Sequence, residues 1–118
     1  MLIKTLSAAS LALLAIVSSP ANAQAECFYA TATFYHEDYE GGTTASGETF
    51  SNSGYTAAIA DWRGFGNYRV TNERTGASVE VYANDTGDFG DNIDLSQAAF
   101  SAIGSLDSGV LNVQVCRL

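Results

Sequence analysis

The strict alternation in "CFYATATFY", residues Cys27–Tyr35, limits the fold more than any other feature of this chain. Phe28, Ala30, Ala32 and Phe34 fall on one side, and Tyr29, Thr31, Thr33 and Tyr35 on the other. A period of two in aromatic and β-branched residues describes a strand with one buried face; a helix, with its period of 3.6, would scatter both sets. The same pattern returns in "NYRVTN" (Asn67–Asn72) and "SVEVYA" (Ser78–Ala83). Between them lies Glu73-Arg74-Thr75-Gly76, whose Thr-Gly pair predicts a hairpin turn. "VLNVQV" (Val110–Val115) predicts a last strand, and Tyr55–Ala60 a short one. One segment reads as a helix: Ser96 can cap it, Ala99, Phe100 and Ile103 share a face, and Gly104 can end it. Short strands with exposed edges are best satisfied by closure, so the expected fold class is mainly β, a small barrel with one short helix.

The first residues read as an export signal. Lys4 precedes an apolar run from Leu6 to Val17, and Ala21-Asn22-Ala23 supplies the small-x-small pattern of a cleavage site. The run is short for a membrane span. Residues 1–23 are therefore expected to be a signal peptide and 24–118 a single domain, secreted or periplasmic. Glu26 before Cys27 is not the small neighbour that a lipid-modified cysteine needs, so no stable membrane anchor is expected. Export to an oxidising compartment makes a Cys27–Cys116 disulfide the expected state, since two cysteines allow one pairing. The alternative is two buried thiols. There is no C-x-x-C, and neither a metal nor a cofactor is expected. Five basic residues against thirteen acidic give a net charge of −8, and once Lys4 is removed the cations are all arginines. That balance argues against nucleic acid and anionic surfaces as partners. A monomer is expected.

"YANDTGDFGDNIDLS" (Tyr82–Ser96) reads as one loop with aspartates at every third position: Asp85, Asp88, Asp91 and Asp94. Calcium loops of the EF-hand type place ligands at alternate positions and close on a glutamate, which this spacing does not match. The remaining uses are turns and an acid site. Asp94 could also serve the free N–H groups of the following helix, and Asp85 could bond its own turn. Tyr29, Tyr35, Tyr39, Tyr55, Trp62, Tyr68 and Tyr82 are numerous for a small core. Half or more are expected to fill the barrel, and the others could stack on sugar rings. His36 reads as polar surface. Asn84-Asp85-Thr86 is a glycosylation sequon, read as chance.

The order "ATFYH", "GGTTASGETF", "YTAAIA", "YRVTNERTGASVEVYANDTGDF", "NIDLSQAAFSAIG" resembles the double-psi β-barrel domain of the rare lipoprotein A (RlpA) family and the first domain of bacterial expansins. The resemblance covers nearly all of residues 24–118. It implies a six-stranded double-psi barrel with a polysaccharide groove across one face. RlpA proteins cut peptidoglycan glycan strands lacking stem peptides, as lytic transglycosylases; expansins bind and loosen wall polysaccharide without hydrolysis. By position the resemblance implies Asp85, Asp94 and Glu48 as catalytic candidates and Thr33 and Tyr35 as groove-lining residues. It also implies a histidine at the place of Ile59, and a proline at the place of Asp88; this chain has neither.

A glycosidic bond breaks when its leaving oxygen receives a proton, and clustered carboxylates raise one another's pKa so that one of them can supply it. A lytic transglycosylase needs no water, because the sugar's own C6 hydroxyl attacks the anomeric carbon. Asp85 or Asp94 is assigned the acid role, and Glu48 the role of support or proton acceptor. The expected partner is cell-wall glycan. The alternative expectation is a non-catalytic, expansin-like polysaccharide binder, and a secreted inhibitor of another organism's proteins is a third.

Overall fold

The computed structural model describes residues 26–87 and 90–118. The expected signal peptide and Asp88 lie outside them. Six strands form a closed barrel: β1 (Cys27–Phe34), β2 (Thr56–Ala60), β3 (Gly66–Asn72), β4 (Ser78–Gly87), β5 (Ile93–Leu95) and β6 (Leu111–Arg117). One α-helix, α1 (Gln97–Ile103), follows β5. Around the barrel the order is β1-β5-β2-β4-β3-β6. β1 runs parallel to β5 and β2 parallel to β4; the other neighbours are antiparallel. Parallel neighbours need long crossover connections, and two such pairs in six strands make the double-psi barrel.

Alternation builds the interior. Ala32, Val70, Val81, Ile93, Val113 and Val115 are fully or almost fully buried, and Phe28, Ala30 and Phe34 pack against them. α1 closes the core by burying Ala99, Phe100 and Ile103, the face expected for it. Ser96 Oγ accepts from the Ala99 N–H at 3.2 Å, as a cap should. Gly104 ends the helix with an extended backbone, φ −174°. Its lack of a Cβ leaves room for Leu111: a Cβ there would lie 2.7 Å from Leu111 Cδ1, and that side chain would have to shift. In the β3–β4 turn it is conformation that requires glycine, because Gly76 has φ +81°. Cys27 and Cys116 are register partners on β1 and β6 and form the expected disulfide.

Two expectations are corrected. Tyr82–Ser96 is not one loop: β4 continues to Gly87 and Ile93–Leu95 is a strand, because both segments satisfy their backbone groups by pairing with β2 and β1. The aromatics are mostly not barrel filling. Tyr68 and Tyr35 are buried, but Tyr29, Tyr39, Tyr55, Trp62 and Tyr82 are exposed.

Candidate active site

Strand register assembles the site. Thr33 on β1 pairs with Asp94 on β5, Asp94 pairs with Ala58 on β2, and Ala58 pairs with Asp85 on β4. Residues directly opposite one another point to the same face of a sheet, so Thr33, Asp94, Ala58 and Asp85 form a row across four neighbouring strands. Ala57 and Ile59, on either side of Ala58, are core residues, so the row lies on the outer face. The two aspartates are two strand spacings apart, about 10 Å between Cα atoms. Asp85 owes its place to a β-bulge. The register shifts between Ala57↔Ala83 and Ala58↔Asp85, leaving Asn84 as the extra residue. Such bulges re-aim a strand's side chains.

Tyr35 lies over the row. It packs with Phe50 on Ala58 in a small cluster outside the barrel, its ring stacked 4.2 Å from that of Phe50. Its hydroxyl donates to Asp85 Oδ2 at 2.6 Å. The other oxygen of Asp85 accepts from the backbone N–H groups of Ala45 at 2.8 Å and Thr86 at 3.0 Å. Asp94 accepts one bond, from Thr33 Oγ1 at 3.0 Å. Burial pushes the Asp94 carboxyl above its ordinary value; the Thr33 hydroxyl opposes this and the Asp85 charge adds to it. Burial also raises the Tyr35 phenol, and its bond to Asp85 raises it further. Tyr35 is therefore a fixed donor at neutral pH.

The alternative duty of Asp94, capping α1, falls to other residues. Ser96 serves Ala99 N–H, Asn52 Oδ1 accepts from Gln97 N–H, and the Asn52 carbonyl accepts from Ala98 N–H. Asp85 does bond the next residue's N–H, as a turn aspartate would, but within a strand and with two further donors. Glu48 stands beside the row. Its Oε1 accepts from Asn84 Nδ2 at 3.0 Å and Ser46 Oγ at 3.1 Å, so it braces the bulge that carries Asp85. Asn84 is buried, which closes the sequon to modification in the folded chain. Asp91 is apart from the site, bonded to Arg63 at 2.7 Å. His36 is exposed and bonds Asp38 N–H through Nδ1. Ile59 is fully buried in the core. The structure adds Phe50 and Ala58, which sequence reasoning missed. Both are apolar residues in ordinary contexts, and only the pairing of β2 between β4 and β5 gives them meaning.

A family model described as lytic transglycolase, of the double-psi β-barrel type, matches residues 28–115. The chain belongs to this lytic transglycolase family. Among family relatives, the endolytic peptidoglycan transglycosylase RlpA of Pasteurella multocida is 43% identical over 86 residues, 71% of this chain and 29% of that protein. RlpA of Pseudomonas aeruginosa is 38% identical over 96 residues, 80% of this chain and 28% of that one. The chain thus spans less than a third of the length of these relatives. Two solved structures share the fold. The Streptomyces papain inhibitor superposes with a TM-score of 0.63 at 26% identity, covering 77% of this chain and 93% of that one. A Clavibacter michiganensis expansin in complex with cellohexaose gives 0.63 at 18% identity, covering 79% and 50%. The barrel here carries Asp94 and Asp85 in one row, with Glu48 beside it.

Proposed function

We propose that the chain is an exported barrel that cleaves peptidoglycan glycan strands as a lytic transglycosylase. The observation that carries this reading is the row of Asp94 and Asp85 on one face, with Tyr35 donating to Asp85 and Asp94's carboxyl raised by burial. A carboxyl with a raised pKa keeps its proton nearer neutral pH and can give it to the leaving glycosidic oxygen. In the proposed reaction Asp94 protonates that oxygen as the C1–O bond breaks. The C6 hydroxyl of the same sugar attacks C1, and Asp85 accepts its proton. The products are a 1,6-anhydro sugar end and a new free end, and no water is consumed. Thr33 and Tyr35 position the two carboxylates, and Glu48 acts through Asn84 as a positioning residue. These roles use no histidine, consistent with a buried Ile59 at the place where the resemblance implies one.

The test is incubation with peptidoglycan sacculi, native and stripped of stem peptides, comparing wild type with Asp85→Asn and Asp94→Asn. Release of anhydro-muropeptides by wild type alone, read by mass spectrometry, supports the reading. Binding to sacculi with no release replaces it with the non-catalytic, expansin-like binder. A second reading, inhibition of a papain-type protease, is favoured by the near full-length correspondence with the Streptomyces inhibitor. A papain activity assay with the same preparation tests it.

A further inference from the structure

Trp62 is the single tryptophan of the chain, and it is 67% exposed. A large indole left in solvent on a small domain calls for a reason, and its surroundings supply one. It sits on the short 3-10 turn Asp61–Arg63 that leaves β2. Behind it the Arg63 guanidinium lies 4.0 Å from the indole centroid and 3.3 Å from the Phe28 centroid. That guanidinium is itself held by Asp91 at 2.7 Å. The indole therefore has a fixed, charged backing, so little side-chain freedom remains to be lost when a ligand covers it.

The indole also lines a concavity of about 220 Å³, with Ala60, Asp61, Thr86, Gly87 and Gly90. Thr86 and Gly87 are the residues directly after Asp85 on β4, and Gly87 pairs with Ala60. The concavity thus continues the carboxylate row along the strand direction, about 7 Å per two residues. We infer that Trp62 and Asp61 form a stacking subsite for an uncharged pyranose ring of the glycan, next to the carboxylate row. The inference rests on the reading that the chain engages glycan strands. The apolar face of a pyranose suits the indole, and its hydroxyl edge suits the Asp61 carboxylate. The ring must be uncharged because, among the described residues, the lining offers a carboxylate and no cation, Arg63 being committed to Asp91. A sugar bearing its own carboxylate would be repelled there.

The single tryptophan makes the subsite directly observable. The full chain is titrated with a neutral N-acetylglucosamine oligomer while calorimetric heat and tryptophan emission are followed in parallel. The expected result is a saturable emission change with the same midpoint as the heat. Trp62→Ala should then weaken calorimetric binding about three- to tenfold, the scale of an aromatic stacking contact, and Trp62→Phe should restore most of it. Heat without an emission change, or an unchanged Kd in Trp62→Ala, overturns the subsite and leaves the glycan reading intact. So does binding to sacculi with no binding of the neutral oligomer. Failure to bind either the oligomer or sacculi overturns the glycan reading itself, and the subsite with it.

Discussion

Replacing both Cys27 and Cys116 by alanine should remove from about a third to nearly all of the stability of this domain without changing its fold. The two residues are register partners at the outer end of the β1–β6 ladder, which continues inward to Ala32↔Leu111. Backbone pairing already holds these ends together in the folded state, so the crosslink acts mainly on the unfolded chain. It closes a loop with a sequence separation of 89. The loop-entropy relation puts that constraint at about 4.6 kcal/mol at 25 °C. A domain of this size has roughly 5–14 kcal/mol in total. Urea denaturation followed by far-UV circular dichroism should show the midpoint falling by roughly 2–4 M. The slope should rise as well, because a denatured chain without the crosslink exposes more surface. The native amide NMR spectrum should be preserved away from β1 and β6. A loss below about 1 kcal/mol with an unchanged slope would refute the reasoning, since it would mean that the unfolded chain keeps its ends together without the bond.

Asp94→Asn should stabilise the fold at neutral pH while abolishing glycan cleavage. Because burial raises the folded-state pKa of Asp94, ionising it weakens the fold as pH rises through that value. The gain from asparagine, about 0.5–2 kcal/mol by urea denaturation at pH 7, should therefore fade below the ordinary carboxylate range near pH 4. Any cleavage rate should fall along the same limb as pH rises, measured by release of anhydro-muropeptides over a pH series. Tyr35→Phe removes the 2.6 Å bond to Asp85; stability should drop by about 1.5 kcal/mol or more in the same urea assay, and cleavage should fall with it. Ser96→Ala removes the α1 cap and the bond from Ser96 Oγ to the Gly54 carbonyl at 2.6 Å. It should cost about 1–3 kcal/mol and leave the active-site row in place, measured by thermal denaturation alongside activity.

Much of the barrel was legible in the residues because its strands are half-buried: β1, β3, β4 and β6 each alternate, and α1 shows cap, face and stop together. β5 was not, because Ile93–Leu95 is three residues long, too short for a period to register, and is bordered by turn-forming aspartates and asparagine. The last four residues of β4 were hidden because Asn84, Asp85 and Gly87 are poor strand formers, held extended by parallel pairing with β2. Asp85 and Asp94 could be named from the resemblance, but their meeting could not. That depends on a bulge at Asn84 and on Ala58 lying between them, both consequences of tertiary register. The same limit explains the aromatics. A count of rings suggests core, whereas the interior is filled largely by alanine, valine, isoleucine and leucine, and most of the tyrosines stay outside.

The alternation that packs the barrel also separates what stabilises this protein from what would make it act. On β2, Ala57 and Ile59 face inward and join the core, while Ala58 faces outward and carries the site. Ala58 is small, so Tyr35 can lie down over it, and that is how its hydroxyl comes to reach Asp85. A larger residue would fill this place and lift Tyr35 away, at no cost to the inward face. The site therefore depends on a residue without chemistry of its own. The unfavourable burial of Asp94 is tolerated because the core behind it and the disulfide at the far end of β1 are independent of it. A position on β2 that faces the core, as Ile59 does, strengthens the barrel and contributes nothing to the outward row; a side chain can join the carboxylates only on the outward phase of the same strand.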